Sequence, residues 1–225
     1  MQIDMARRLT AEALGTCLLL VAVVGSGIMA ERLAGGNTAV ALLANALATG
    51  TALVVLVTIF GPLSGAHFNP CVSLYCALRR EMPPAMALAY AAVQTAAAVW
   101  GVWLAHAMFG MPVLETSTHL RSGFPLMLAE FIATLGLLAA ITGGMRFAPA
   151  FVPMLVGLYI TGAYWFTAST SFANPAVTLA RAMTESFAGI APASAPGFLA
   201  AQLLAVAAGW ALLPWLFGSS ATAAG

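Results

Sequence analysis

Two asparagines each followed by proline, Asn69 and Asn174, and two glutamates set in apolar runs, Glu12 and Glu130, stand out in this chain as reactive or hydrogen-bonding groups. An asparagine ahead of a proline is suited to cap a helix. Its side-chain carbonyl accepts from the first free backbone N–H groups, and proline fits the first helical position, where its missing N–H is no loss. The asparagine NH₂ is then left to donate to a passing oxygen. A carboxylate in an apolar run is costly unless it is paired or hydrogen-bonded. Glu12 and Glu130 therefore mark a functional position, and proton carriage is the reading their type allows. His67, two residues before Asn69, reads as a pH sensor. Cys71 reads either as a thiol at the wall of the site or as a slightly larger alanine packed inside the protein.

Composition decides what kind of scaffold carries these residues. Hydrophobic residues make up 62% of the 225-residue chain and charged residues 7%, too little charge to cover a water-soluble surface of this size. The chain therefore belongs in lipid. There is no lysine and the eight basic residues, all arginine, are scattered or paired, so no nucleic-acid surface is expected. Cys17, Cys71 and Cys76 lack metal-ligand spacing and are odd in number, so neither a metal site nor complete disulfide pairing is expected, and no cofactor is implied. The basic pair Arg7-Arg8 before an apolar stretch superficially resembles a signal peptide. The stretch is too long for that and is read as a first, uncleaved span.

Six segments hold the roughly 20 apolar residues needed to cross a bilayer: 9–30, 40–60, 84–106, 125–144, 149–168 and 197–217. Two shorter stretches, 69–80 and 174–185, each open on Asn-Pro and are too short to span, so each is predicted to be a half-helix entered from a loop. With the N-terminus inside, Arg7, Arg8, Arg79, Arg80 and Arg146 outweigh Asp4 and Glu81 by three charges. On the other side Arg32, Arg121 and Arg181 balance Glu31, Glu115 and Glu185. That asymmetry predicts cytoplasmic N- and C-termini. Trp100, Trp103, Trp210 and Trp215 suit the interfacial aromatic belt.

The chain also repeats itself. Ala11-Glu12-Ala13-Leu14-Gly15-Thr16 is echoed by Ala129-Glu130-Phe131-Ile132-Ala133-Thr134, and Phe68-Asn69-Pro70-Cys71-Val72 by Ala173-Asn174-Pro175-Ala176-Val177. Residues 1–122 and 123–225 are read as two repeats of one structural domain, each with three spans and a half-helix. Three spans is an odd number, so the second repeat enters the membrane inverted, an arrangement that places a functional site near the midplane. Inverted half-helices meet at their N-termini, where free N–H groups and positive dipole ends disfavour cations but not neutral solutes. Irregular backbone before each motif, Ser64 to Phe68 and Ser169 to Ala173, is tolerable at that depth where it lines a wet cavity.

Ser64-Gly65-Ala66-His67-Phe68-Asn69-Pro70-Cys71-Val72 resembles the first signature loop of the aquaporin and glycerol-facilitator family, and Phe172-Ala173-Asn174-Pro175-Ala176 resembles the second. The resemblance covers essentially the whole chain. It implies an all-α membrane protein, with an inverted repeat of six transmembrane helices plus two re-entrant half-helices around a pore for small uncharged solutes. It also implies a homotetramer in the cell membrane, with Glu12, Glu130 and His67 supporting the loops. Two departures matter. Most family members carry arginine where this chain has Val177, and glycerol facilitators carry aspartate where it has Thr178. The remaining filter positions carry over to Thr49, Ser171 and Tyr164, with Gly162 as the alternative to Tyr164. Such a ring is uncharged and roomy. Residues 169–178 are similar to bacterial aquaglyceroporins associated with arsenic handling, which implies arsenite, As(OH)₃, beside water and glycerol-like polyols. Arg181, one turn beyond Val177, either supplies positive potential at the outer vestibule or snorkels to the interface. Two other functions remain open: a proton-coupled transporter using Glu12 and Glu130, and an intramembrane enzyme. The second is disfavoured because Ser64 and His67 have no acid–base partner and no strained nucleophile elbow.

Overall fold

The structure is a computed structural model that describes residues 3–218. The two terminal ends expected to be cytoplasmic, 1–2 and 219–225, lie outside these residues, and with them the end of the second repeat. Among the described residues there are eight α-helices and no strand: α1 (Met5–Leu33), α2 (Thr38–Ser64), α3 (Pro70–Leu78), α4 (Pro84–Met108), α5 (Phe124–Phe147), α6 (Val152–Phe166), α7 (Pro175–Arg181) and α8 (Ala195–Phe217). A 3₁₀ turn precedes α6 at Pro149–Phe151 and another precedes α8 at Pro192–Ser194. Six of these helices are long and apolar enough to cross a membrane. The spans α1, α2 and α5 start or end several residues beyond the expected bounds, and α4 ends two beyond.

Local chemistry sets the ends. Asp4 caps α1 by accepting from Arg7 N at 2.8 Å, and Asn37 caps α2 by accepting from Ala39 N and Val40 N. The chain leaves α2 through Gly65 at φ +89°, a conformation that favours glycine. The two short helices start as predicted, with Asn69 and Asn174 as caps and proline at the first position. The second is shorter than expected: α7 ends at Arg181 rather than at residue 185. Beyond it, backbone bonds from Ala182 N to Leu179 O and Met183 N to Ala180 O form turns, and Ile190 N returns to Arg181 O.

α1 packs against α2 and α4, α5 packs against α6 and α8, and α2 packs against α6. α3 and α7 sit inside this ring, each against α4 and α8. Small residues permit close crossings: a Cβ on Gly50 would lie 2.8 Å from Gly157 O, so the α2 and α6 backbones touch there. Leu14, Leu18, Val55, Ile59, Leu88, Leu104, Ile132, Leu158, Leu204 and Trp215 stay exposed along the outer surfaces of the long helices, an apolar belt suited to lipid.

Candidate functional site

The loops ahead of the two short helices are built alike. Gly65, Ala66 and Phe68 have φ of +89°, +48° and +49°; Thr170, Ser171 and Ala173 have +62°, +51° and +48°. Non-glycine residues held at positive φ cost free energy and need compensation from their surroundings. The two glutamates provide it. Glu12 Oε1 accepts from Ser64 Oγ at 2.6 Å and His67 N at 3.0 Å, while Oε2 accepts from Phe68 N at 2.7 Å and Gln94 Nε2 at 2.8 Å. Glu130 accepts from Phe172 N and Ala173 N at 2.8 Å each and from Gln202 Nε2 at 2.6 Å. Both carboxylates are fully buried and neither lines the cavity described below.

Sequence reasoning missed the second layer of this brace. Gln94 on α4 also donates to Ser73 Oγ at 3.2 Å, and Gln202 on α8 donates to Thr178 Oγ1 at 2.9 Å. The signal was available: each is a lone glutamine in an apolar span, at matching places in the two halves. His67 Nδ1 lies 3.0 Å from Ser73 Oγ, which ties the imidazole to α3.

The asparagines do more than cap. Asn69 Oδ1 accepts from Cys71 N at 2.9 Å, and Asn174 Oδ1 accepts from Ala176 N at 3.0 Å and Val177 N at 3.3 Å. Each NH₂ also crosses to the other loop: Asn69 Nδ2 donates to Ala173 O at 2.7 Å and Asn174 Nδ2 donates to Phe68 O at 2.8 Å. The two helix tips are thus stitched together. One amide hydrogen of each asparagine is committed to the opposite carbonyl, and one remains, which revises the expectation of an NH₂ wholly free for solute. Pro70 and Pro175 hold the first helical positions; Cys71 and Ala176 are fully buried and absent from the cavity wall. Cys71 packs with Val72, Tyr75, Leu138, Val206 and Leu213, so of its two readings the packed one holds.

A cavity of about 660 Å³ runs past both asparagines. At one end, here called proximal, its wall includes Arg8, His67, Cys76, Glu81 and Tyr90; at the distal end it includes Thr49, Tyr164, Ser171, Val177 and Arg181. The distal residues come from α2, α6, the second loop and α7. Thr49 Oγ1 and Tyr164 Oη are 3.3 Å apart, a hydrogen bond across the cavity wall. Gly162, the alternative to Tyr164, is not in the wall.

Arg181 is neither at the interface nor snorkelling: it is 2% exposed. Its guanidinium carbon stacks 3.4 Å from the Phe172 ring centroid, and its Nε donates to Ala188 O. Arg121 approaches the same ring at 5.4 Å, while its Nε donates to Gly189 O at 2.8 Å. The distal end is therefore uncharged where Val177 sits and positive immediately beside it. Ser171 Oγ and Arg181 Nη1 are buried without a hydrogen-bond partner among the described residues.

Comparison with known proteins bears on the family and the fold. Residues 1–162 match the family model described as Major intrinsic protein. The chain is 55% identical over 215 residues to Aquaglyceroporin AqpS of Rhizobium meliloti (strain 1021), a match covering 96% of this chain and 92% of that protein. It is 31% identical over 136 residues to the probable aquaporin NIP5-1 of Arabidopsis thaliana, covering 59% of this chain and 43% of that protein. Among solved structures, the aquaglyceroporin from Plasmodium falciparum superposes with a TM-score of 0.72 at 20% identity, covering 96% and 97% of the two chains, which is a likeness of fold.

Proposed function

The chain belongs to the major intrinsic protein family, a multi-pass membrane family of passive solute channels rather than enzymes, and from that premise we propose that it conducts water, glycerol-like polyols and neutral metalloid hydroxides such as arsenite through a wide filter. The carrying observation is that one cavity is walled by both stitched asparagines and by Thr49, Tyr164, Ser171 and Val177. At ~30 Å³ per water, its volume corresponds to roughly twenty waters, room for a file of small solutes.

Selectivity follows from the groups in the wall. The remaining amide hydrogens of Asn69 and Asn174 donate to a solute oxygen, and loop carbonyls accept from its hydroxyls. The facing N-terminal dipoles of α3 and α7, together with Arg181, raise the energy of any cation. Val177, in the place where most family members carry arginine, offers neither a charge nor a rigid fork, so a bulkier neutral molecule meets an apolar wall there. Ser171 Oγ and Arg181 Nη1 are the polar groups left to meet its oxygens. The similarity to a protein named an aquaglyceroporin supports the polyol reading; the similarity of residues 169–178 to arsenic-associated channels supports arsenite. The chain is taken to act as a homotetramer in the cell membrane with cytoplasmic termini.

Purified protein in liposomes, with water, glycerol and arsenite compared by stopped-flow light scattering, tests this reading. All three fluxes are expected to exceed those of empty vesicles and to survive collapse of a proton gradient. Glycerol and arsenite fluxes equal to the protein-free background would overturn it.

A further inference from the structure

The proximal mouth holds a side-chain pair that conduction does not use. Ser73 Oγ donates its one proton to Asn69 O at 3.3 Å and accepts from Gln94 Nε2 at 3.2 Å. His67 Nδ1 lies 3.0 Å from the same Oγ, so the tautomer protonated on Nδ1 has a partner there and turns its lone pair on Nε2 outward. Tyr90 packs edge-on against the ring, with centroids 5.4 Å apart. His67 Nε2 faces Cys76 Sγ across 3.8 Å, and both residues stand in the cavity wall.

That gap suits a metal ion. A zinc-like cation binds sulfur at about 2.3 Å and imidazole nitrogen at about 2.0–2.1 Å, so one ion bridging 3.8 Å would subtend an angle of about 120°. The hydrogen bond on Nδ1 is the kind that orients a ligating histidine. Cys76 lies in the last turn of α3, whose negative dipole end faces the proximal mouth and favours a cation there, opposite in sign to the tip at Asn69. The charged groups around the pair are Glu81 beside Cys76, Glu12 beneath the His67 backbone, Arg8 in the cavity wall, and Arg79, which donates to Glu81 at 2.6 Å. Among the described residues no three ligands are gathered in advance, so water would complete the shell, and the site suits a regulatory ion rather than a structural one.

We propose that His67 Nε2 and Cys76 Sγ form an inhibitory site for a soft or borderline divalent cation at the proximal mouth of the cavity. Binding forms a metal–sulfur and a metal–nitrogen bond, breaks the thiol S–H bond and releases that proton to water. The bound ion and its waters occupy the path below Asn69. The inhibitory part rests on the cavity being the conduction path; the binding part does not.

The test uses the full-length protein and cadmium. Cadmium–thiolate ultraviolet absorption reports the site, and glycerol flux in liposomes reports inhibition. One equivalent of cadmium per chain is expected to give the band and to lower flux, with both effects lost in Cys76→Ala and in Cys76→Ser while Cys17 and Cys71 remain. Lack of a band in the wild type, or a band unchanged in both variants, would overturn the site. A band with undiminished flux would overturn inhibition. A protein that conducts nothing before cadmium is added would count against the conduction reading, and the band would still decide the site.

Discussion

Replacing Glu130 tests whether the intramembrane carboxylates brace the loops or carry protons. Glu130→Ala removes the acceptor of three buried donors: Phe172 N–H, Ala173 N–H and the Gln202 amide. At ~1–3 kcal/mol for each stranded group, the loss is on the order of 3–9 kcal/mol, with the lower end favoured because the adjacent cavity admits water. Glu130→Gln keeps one acceptor oxygen but sets an NH₂ against a donor, stranding at least one group at about 1–3 kcal/mol. At roughly 2–4 °C per kcal/mol for a chain of this size, Glu130→Gln should lower the melting temperature in detergent by about 2–12 °C, and Glu130→Ala should lower it further. Because the same loop carries Ser171, glycerol flux should fall in step with the loss of stability and remain indifferent to a proton gradient. If Glu130→Gln melted like the wild type yet abolished a flux that depended on that gradient, the carboxylate would be a proton carrier and the bracing argument would be wrong.

Arg181→Met keeps the bulk but removes the charge beside Val177. A unit charge about 5 Å from the path, at an effective dielectric of ~20, is worth about 3 kcal/mol, so ion leak in liposomes should rise on the order of a hundredfold. Unchanged leak and unchanged solute selectivity would remove Arg181 from the account. Gly15→Ala should be poorly tolerated, because its Cβ would lie 2.7 Å from Phe68 Cδ1 and closer still to the ring edge. A loss of about 1–3 kcal/mol is expected, read as lowered melting temperature, and an unchanged melt would mean that the first loop yields freely. Glu185, at the surface, accepts from Thr118 N and Thr118 Oγ1, both at 2.5 Å. The Thr118 hydroxyl, then its backbone N–H, hold the Glu185 carboxyl below its ordinary 4.5. A depressed carboxylate stabilises the fold above its unfolded pKa and loses that contribution as pH falls through the folded one. The melting difference between wild type and Glu185→Gln should therefore be constant above about pH 5.5, shrink as pH falls further and disappear in strong acid; a difference persisting there would show that the carboxylate charge is not what matters.

Much of the fold can be read in the residues. Six apolar runs, punctuated by glycine and proline, mark the spans, and Asn-Pro marks the start of each short helix. The end of α7 is less legible, because residues 182–185 have helix-compatible types and only tertiary bonds, such as Ile190 N to Arg181 O, turn the chain away. Side-chain direction is the harder problem. These spans are apolar on every face, so periodicity does not say which face looks inward. Cys71 and Cys76 both lie on α3, yet the first is packed against Leu138 and Val206 while the second lines the cavity. Arg181 was equally readable as a surface anchor; its burial depends on Phe172 beneath it and the Ala188 carbonyl beside it, contacts that a linear reading does not bring together. Gln94 and Gln202 were visible as solitary amides, but the partners that explain them lie on other helices.

In the proposed channel an uncharged wall at Val177 admits bulky neutral solutes while stitched helix tips turn cations away. Val177→Arg in proteoliposomes is the decisive variant. Glycerol and arsenite permeability should fall on the order of tenfold, an added barrier of about 1.4 kcal/mol, with water flow largely retained. Equal loss of all three, or no loss of any, would contradict the assignment of Val177 to the filter.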